Sequence, residues 1–402
     1  MRIGYYAHHH GSGHCRQIDK LAGLLPLENR QQLTVFTSLT SEGYTFTAIN
    51  EQQIIRLHAE DERADDVLKG RAGEHWQPAS LHYSPVGNAD IQKRSHQILD
   101  TIYQRKIDLM IVDVSVEVAM LCRTASVPYL YVRLPGCRDD VPHLEAFAGA
   151  LALVAPYPRV LEAAMTPRWV TQKTLYLDFI TPTKNNPSTY EDFVKTLMAL
   201  TDDDKVREAF SASAQIITVI KGYGGHEAID AKLPELRRLL PNTLIISLGP
   251  IDDAMRRYVD IATHVDDVTP FMQHSDYLLM ACGLNAVAQA YHQATPLVVL
   301  PDERPHQEQE VMAQALIAQG RALSWEQFKS LVTDKHIPAN SDKLFLQQIQ
   351  DDKSQMPSLT STDYLPAAQA FMSSTTTYST TKSWFNEWLL PQLNLKPDLG
   401  HS

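Results

Sequence analysis

"GYYAHHHGSGHCRQIDKLAGLL" occupies residues 4–25. An apolar run, a glycine-bearing turn and a helix-forming segment stand end to end in it. The three histidines at its centre sit too deep in a patterned segment to be an appended tag. Read as strand, loop and helix start, the stretch is the opening βα unit of a doubly wound fold. Gly11 and Gly13 allow a tight turn and a close approach of backbone to ligand. The helix that follows presents free N–H groups to negative charge. Ser12 and His14 then stand at the carboxyl edge of the sheet, where open α/β sheets bind ligands. An imidazole there works as a base near neutral pH. The same residues would also make an ordinary surface loop. They do not make the dinucleotide fingerprint G-x-G-x-x-G, because Arg16 takes the place of its third glycine.

The pattern continues outward. Strands are expected at residues 3–7, 33–37, 53–58, 109–114, 128–133, 150–155 and 175–179, with helices at 17–25, 90–104 and 116–124 between them. Near-continuous apolar runs such as "LMIVDV" suit strands covered on both faces of a parallel sheet. The alternation lapses in "TPTKNNPSTYEDF" and then restarts. Strands are expected again at 216–220, 243–247, 277–280 and 297–300, with helices at 230–240, 285–292 and 309–319. This organisation implies an N-terminal Rossmann-like domain over 1–181, a linker over 182–213, a second Rossmann-like domain over 214–362 and a tail over 363–402. In the tail, "KSWFNEWLL" is expected to form a helix near 382–390 that packs back on the body.

Length and composition agree. A chain of 402 residues suits two domains, each of about 150–200 residues. With 44% hydrophobic and 21% charged residues it is globular, and a formal net charge of −11 argues against a nucleic-acid partner. The four cysteines form no C-x-x-C pair, which points to free thiols in a reducing cytoplasm and away from structural zinc. No secretory signal is apparent. The longest apolar stretch, "FAGALALVAPYP", is of strand length and falls short of the ~18 residues that span a bilayer.

Further motifs carry chemistry. "KGYGGHEA" places Gly222, Gly224 and Gly225 between a strand and a helix, which suits phosphate or sugar contact by backbone amides, or else a plain turn. In "CGLNAVAQAYHQATPLVVLPDERPHQEQ", Gly283 and Asn285 lie between a buried strand and a helix, with Asn285 the expected N-cap and Gln289 one turn on. A second polar loop, "DERPHQEQ", returns to the same edge with His306, Gln307 and Gln309. Two polar helix starts around one buried strand suit a nucleotide diphosphate, and equally a routine βαβ crossover. Asp113 ends an apolar strand, where it can hold a hydroxyl, act as a base or cap the next helix. Trp76 and Tyr83 offer flat rings to an acceptor sugar, or are incidental loop aromatics.

These motifs together resemble bacterial glycosyltransferases of the GT-B fold, over roughly residues 1–325. The nearest group looks like that of the lipid-linked N-acetylglucosaminyl transferase of peptidoglycan synthesis. The resemblance implies two Rossmann-like domains facing across a cleft. It puts Gly11, Gly13 and His14 at the reaction centre, and the loop of Gly222–Gly225 toward the donor. It gives Gly283, Asn285, Ala286 and Gln289 the diphosphate and ribose, Gln307 or Gln309 the sugar, and the loop of Val265 the base. Ala286 lacks the usual hydroxyl, Gln289 stands where an acid is common, and Met312 replaces a common asparagine.

The expected activity is an inverting, metal-independent transfer from a UDP-linked donor to a glycan, lipid-linked or small-molecule acceptor. His14 is the expected base, with Asp113 as the weaker candidate. No cofactor beyond the donor is implied. The expected setting is the cytoplasm, with room for peripheral contact at the inner face of the membrane. Two alternatives share the fold: a UDP-sugar hydrolase, whose G-x-G-H-x-x-R opening is one residue longer than "GSGHCR", and a non-catalytic sugar-nucleotide-binding protein.

Overall fold

A computed structural model describes residues 1–8, 12–61, 78–180, 188–201, 203–211, 215–222, 226–333 and 384–389. The chain divides into two compact units. The first combines Met1–Arg159 and Ala164–Ile180 with Asp363–Ser402, and the second combines Val160–Ala163 with Thr181–Thr362.

The first unit is built on a seven-stranded sheet. Its strands are β1 (Ile3–Ala7), β2 (Thr34–Thr37), β3 (Ile54–Arg56), β4 (Leu109–Asp113), β5 (Tyr129–Val132), β6 (Ala152–Ala155) and β7 (Thr174–Tyr176). All pairings are parallel, in the order β3-β2-β1-β4-β5-β6-β7. Every residue of β1 and β4 is buried, because helices cover both faces. Alternation sends Ile3, Tyr5 and Ala7 into one core with Leu109 and Ile111, and Tyr6 into the other with Met110 and Val112. The chain runs from β1 to β2 on one side and from β4 to β5 on the other, so the order reverses between β1 and β4. Connections diverge there, and the carboxyl edge at such a reversal is where open α/β sheets bind ligands.

The six residues Trp384–Leu389 form a π-type helical turn, and Trp384, Phe385, Trp388 and Leu389 are buried in the core that contains β1. The expected C-terminal helix therefore contributes its aromatic side chains to the first unit.

The second unit has a six-stranded parallel sheet in the order β10-β9-β8-β11-β12-β13. Here β8 is Ile216–Ile220, β9 Leu244–Leu248, β10 Ile261–Thr263, β11 Tyr277–Met280, β12 Leu297–Val299 and β13 Ala322–Ser324. Its order reverses between β8 and β11. Gly249 follows β9 with φ of +108°, and a Cβ there would lie 2.5 Å from the carbonyl oxygen of Lys221. Only glycine lets the two strand ends approach so closely.

Several boundaries differ from expectation. Within 182–213, expected as a linker followed by a helix, stand the helices Tyr190–Ala199 and Asp204–Ser211. Phe193 and Leu197, one turn apart, are buried in the second unit's core with Leu244 and Phe271. The helix expected at 230–240 is split into Glu227–Asp230 and Leu233–Leu239, with Pro234 in the first turn of the second piece. The first helix runs Gly13–Gly23, so Gly13 and His14 are already helical and Ser12 is the N-cap. Asn285 is not the N-cap of its helix: Gly283 caps Leu284–Ala290 and Asn285 lies inside the first turn. Among the described residues, no helix is long and apolar enough to cross a membrane.

Candidate active site

In the first unit, β1 leads into the helix that carries His14, and β4 ends in Asp113, so the two residues flank the point where strand order reverses. His14 Nδ1 lies 3.2 Å from Asp113 Oδ2. Asp113 is 1% exposed, while the His14 side chain is 17% exposed. A carboxylate only accepts, so Nδ1 carries the hydrogen and Nε2 is left with a lone pair. That is the arrangement of a base oriented by an acid. Among the described residues, the other Asp113 oxygen and the Tyr5 hydroxyl are buried with no hydrogen-bond partner. Burial, and then the charge of Asp113, push the Tyr5 hydroxyl well above its ordinary value.

The surroundings hold this pair in place. Val114, next to Asp113, has φ of +52°, a conformation that costs a β-branched residue about 1–3 kcal/mol. The Tyr131 hydroxyl donates to its carbonyl. Asp113 does not cap the following helix: Ser115 Oγ does so, accepting from Val118 N at 3.2 Å. The carboxylate of Asp113 is thereby left to His14. On the other side the His8 ring lies 5.6 Å from the His14 ring, and Glu60 reaches both His8 and Arg94.

In the second unit, Gly222 is exposed at the end of β8, and Gly283 follows β11 on the adjacent strand. Cys282, just before it, has φ of +65°. Asn285, Ala286 and Gln289 are half-buried along one short helix, where Gln289 Nε2 donates to the Asn285 carbonyl. Val265 lies beyond β10, half-buried against the core. His306 and Gln307 are both left-handed, at φ of +59° and +52°. Gln309 is buried, and its Oε1 accepts from the Asp302 backbone N–H at 2.9 Å. Gln307 is exposed. Gln309 thus holds the loop from within.

No protein-family model and no curated protein matches the chain. Solved structures do match. A UDP-glucosyltransferase from Polygonum tinctorium capable of glucosylating indoxyl superposes with a TM-score of 0.57 at 10% identity, covering 98% of this chain and 99% of that one. Phytolacca americana UGT2, complexed with UDP-2-fluoro-glucose and pterostilbene, gives 0.55 at 12% identity, covering 97% and 98%. Acinetobacter baumannii MurG gives 0.51 at 12% identity, covering 87% and 100%. The chain has the GT-B glycosyltransferase fold.

Within each unit of this GT-B chain, the residues singled out from sequence gather at the carboxyl edge. Ser12, Gly13, His14 and Asp113 do so in the first, and Gly222, Gly283 and Asn285 in the second. Gly11, Gly224, Gly225 and Trp76 lie outside the described residues. Tyr83 is exposed on its loop.

That loop rests on Glu117, from the motif that also holds Asp113, and on His82, Asp140 and His143, to which the sequence reading gave no role. Glu117 Oε1 accepts from the backbone N–H groups of His82 and Tyr83 at 2.8 and 3.0 Å. His82 Nε2 lies 2.8 Å from Asp140 Oδ1, and His143 Nδ1 lies 2.7 Å from Asp140 Oδ2. The ligand atoms of His82, Asp140 and His143 all lie within 4.8 Å of one another, which is metal-site spacing. Arg138 decides against that use. Its guanidinium donates to His143 Nε2 at 3.1 Å, so the ring hydrogen sits on Nδ1 and points at Asp140. The group is a hydrogen-bonded clamp for the loop. Asp140 also caps the helix Val141–Gly149, and the pattern "DVPH" carries that much signal in sequence.

Burial, and then the nearby Arg138 charge, push His143 down from 6.5 to about 3. Burial pushes Asp140 up, but hydrogen bonds from His143 and His82 outweigh it and hold the carboxyl well below its ordinary value. Between pH 6.5 and about 3 the unfolded chain binds a proton at His143 that the folded chain refuses. Stability should thus fall as pH drops below 6.5, by at most about 1.4 kcal/mol per pH unit. Asp140 adds loss only below the ordinary carboxylate range. Urea midpoints at about pH 7 and about pH 5 should separate more in the natural chain than in His143→Asn.

Proposed function

We propose that this GT-B chain transfers a sugar from a nucleotide diphosphate, UDP-linked, to an acceptor hydroxyl, with inversion and without a metal. The observation that carries the reading is the His14–Asp113 pair at the point of strand reversal in the first unit. The acceptor hydroxyl gives its proton to His14 Nε2 as its oxygen bonds to the anomeric carbon. The bond from that carbon to the diphosphate breaks, and its electron pair leaves with the phosphate oxygen. Asp113 holds the Nδ1 hydrogen and stabilises the imidazolium that forms.

The donor belongs to the second unit. Backbone at Gly222 and Gly283 meets the diphosphate and stabilises its growing charge. Asn285, Ala286 and Gln289 face its ribose, Val265 its base, and His306 and Gln307 its sugar. Structures of this fold in complex with UDP and with UDP-2-fluoro-glucose support a uridine donor. Pterostilbene and 3,4-dichloroaniline in those structures support a small-molecule acceptor. The formal charge of −11 supports a partner other than nucleic acid. The cytoplasm, which supplies nucleotide sugars, fits the free cysteines.

Incubation with UDP-glucose and UDP-N-acetylglucosamine, with and without a panel of acceptor alcohols and phenols, tests the reading. UDP released only when an acceptor is present is the expected result. Release at the same rate without acceptor would make the protein a hydrolase, and binding without turnover would make it a binding module.

A further inference from the structure

We infer that a buried water molecule links Tyr5 and Gln17 to Asp113, and that this link makes Tyr5 a positioning residue for the His14–Asp113 pair. The role in catalysis rests on the transferase reading; the water site does not.

Sheet register brings the groups together. Tyr5 pairs with Ile111 and Tyr6 with Val112, so the next step along both strands sets Ala7 beside Asp113. Tyr5 and Ile111 face the same core. Side chains alternate along a strand, so Asp113, two residues beyond Ile111, belongs to that face as well. Tyr5 and Asp113 are therefore diagonal neighbours on adjacent strands, with Cα atoms about 8 Å apart. The helix Gly13–Gly23 covers the same face through Cys15, Ile18 and Leu21. Gln17 lies on the helix stripe of His14 and Leu21, one turn on from His14. A helical side chain leans back over the preceding turn, which carries the Gln17 amide toward the pair.

Tyr5, Gln17 and Asp113 are 1%, 5% and 1% exposed. Among the described residues, Tyr5 Oη, Gln17 Nε2 and Asp113 Oδ1 are each buried without a hydrogen-bond partner. Protein interiors pair nearly all such atoms, because an unpaired one is costly. These three are complementary. The carboxylate oxygen only accepts, the amide nitrogen only donates, and the hydroxyl does either. One water satisfies them all. Its lone pairs take the hydrogens of Tyr5 Oη and Gln17 Nε2, and one of its own hydrogens goes to Asp113 Oδ1. About three hydrogen bonds are usual for a buried water. A cation does not suit the place, since the Gln17 amide presents hydrogens to it. Burial, and then the Asp113 charge, keep the Tyr5 hydroxyl protonated.

Asp113 is then held at both oxygens. Oδ2 meets His14 Nδ1 at 3.2 Å, and the water takes Oδ1. So fixed, the carboxylate cannot turn away from the imidazole, and it stays charged to meet the imidazolium. Tyr5 acts only through Asp113 and does not touch the acceptor.

A crystal structure of the full chain, at a resolution that places ordered water, tests the site. A water within hydrogen-bond distance of all three atoms is the expected result. Three atoms paired with one another or with other side chains overturn it. Kinetics test the role. Tyr5→Phe keeps the ring and removes only the hydroxyl. It should lower kcat about tenfold, with KM values and thermal midpoint close to those of the natural chain. Gln17→Met should act in the same direction. In the His14→Ala background Tyr5→Phe should change kcat less than about twofold, because the pair it positions is gone. An unchanged kcat in Tyr5→Phe, or the same loss in both backgrounds, overturns the positioning role and leaves the transferase reading standing. A natural chain that transfers sugar to no acceptor overturns that reading and the positioning role with it, while the crystal structure still decides the water site.

Discussion

His14→Ala should lower acceptor-dependent sugar transfer by about two to four orders of magnitude. The acceptor hydroxyl is too weak an acid to attack unaided, and the Asp113 hydrogen bond to Nδ1 orients His14 as its proposed base. The loss should fall on kcat, because the donor is assigned to the other unit. Asp113→Asn is the sharper companion. An asparagine amide can donate to Nδ1, which would drive the ring hydrogen onto Nε2 and remove the base without moving the ring. A comparable loss in both variants, with unchanged donor affinity by calorimetry, is the expected result. Full transfer in His14→Ala would remove the catalytic assignment.

Asp230→Ala should destabilise the second unit by about 3–5 kcal/mol, because it leaves a buried ammonium without its counter-charge. Lys221 has no exposed side-chain surface, and Asp230 Oδ1 is 2.7 Å from its Nζ. Burial already pushes the Lys221 ammonium down from its ordinary value even with Asp230 in place. Lys221→Met should cost less. There Asp230 keeps the hydrogen bonds from His226 and from the Asp252 N–H, and the new side chain fills similar space. Urea denaturation of the two variants should show that order, and the reverse order would mean that the carboxylate, not the ammonium, is the costly partner.

The long buried strands were legible in the sequence because their apolar runs have no other use. β1, β8 and β11 begin and end where the runs do. The edge strands β10 and β13 were not legible. Each has three residues, too few for a pattern, and each is a strand only because β9 or β12 lies beside it. Glycine and histidine are poor helix formers, so the first helix was expected to start at residue 17, where good formers begin. Tertiary contact with Asp113 holds Gly13 and His14 in its first turn instead.

The site followed the same logic. His14 and Asp113 could each be picked out, since each sits beside a strand end, but their pairing spans 99 residues and only the sheet order joins them. The Asp140 clamp and the Lys221–Asp230–His226 group left weaker traces. Their members are common polar residues, and their meaning comes from which oxygen each donor reaches.

The aromatic turn at Trp384–Leu389 bears on how the protein is made. The core around β1 closes only when these side chains arrive, after the entire second unit has been translated. On the ribosome the first unit must wait with part of its apolar surface uncovered while the second forms. Removing the last segment, or expressing the first half alone, leaves that surface exposed for good and invites aggregation.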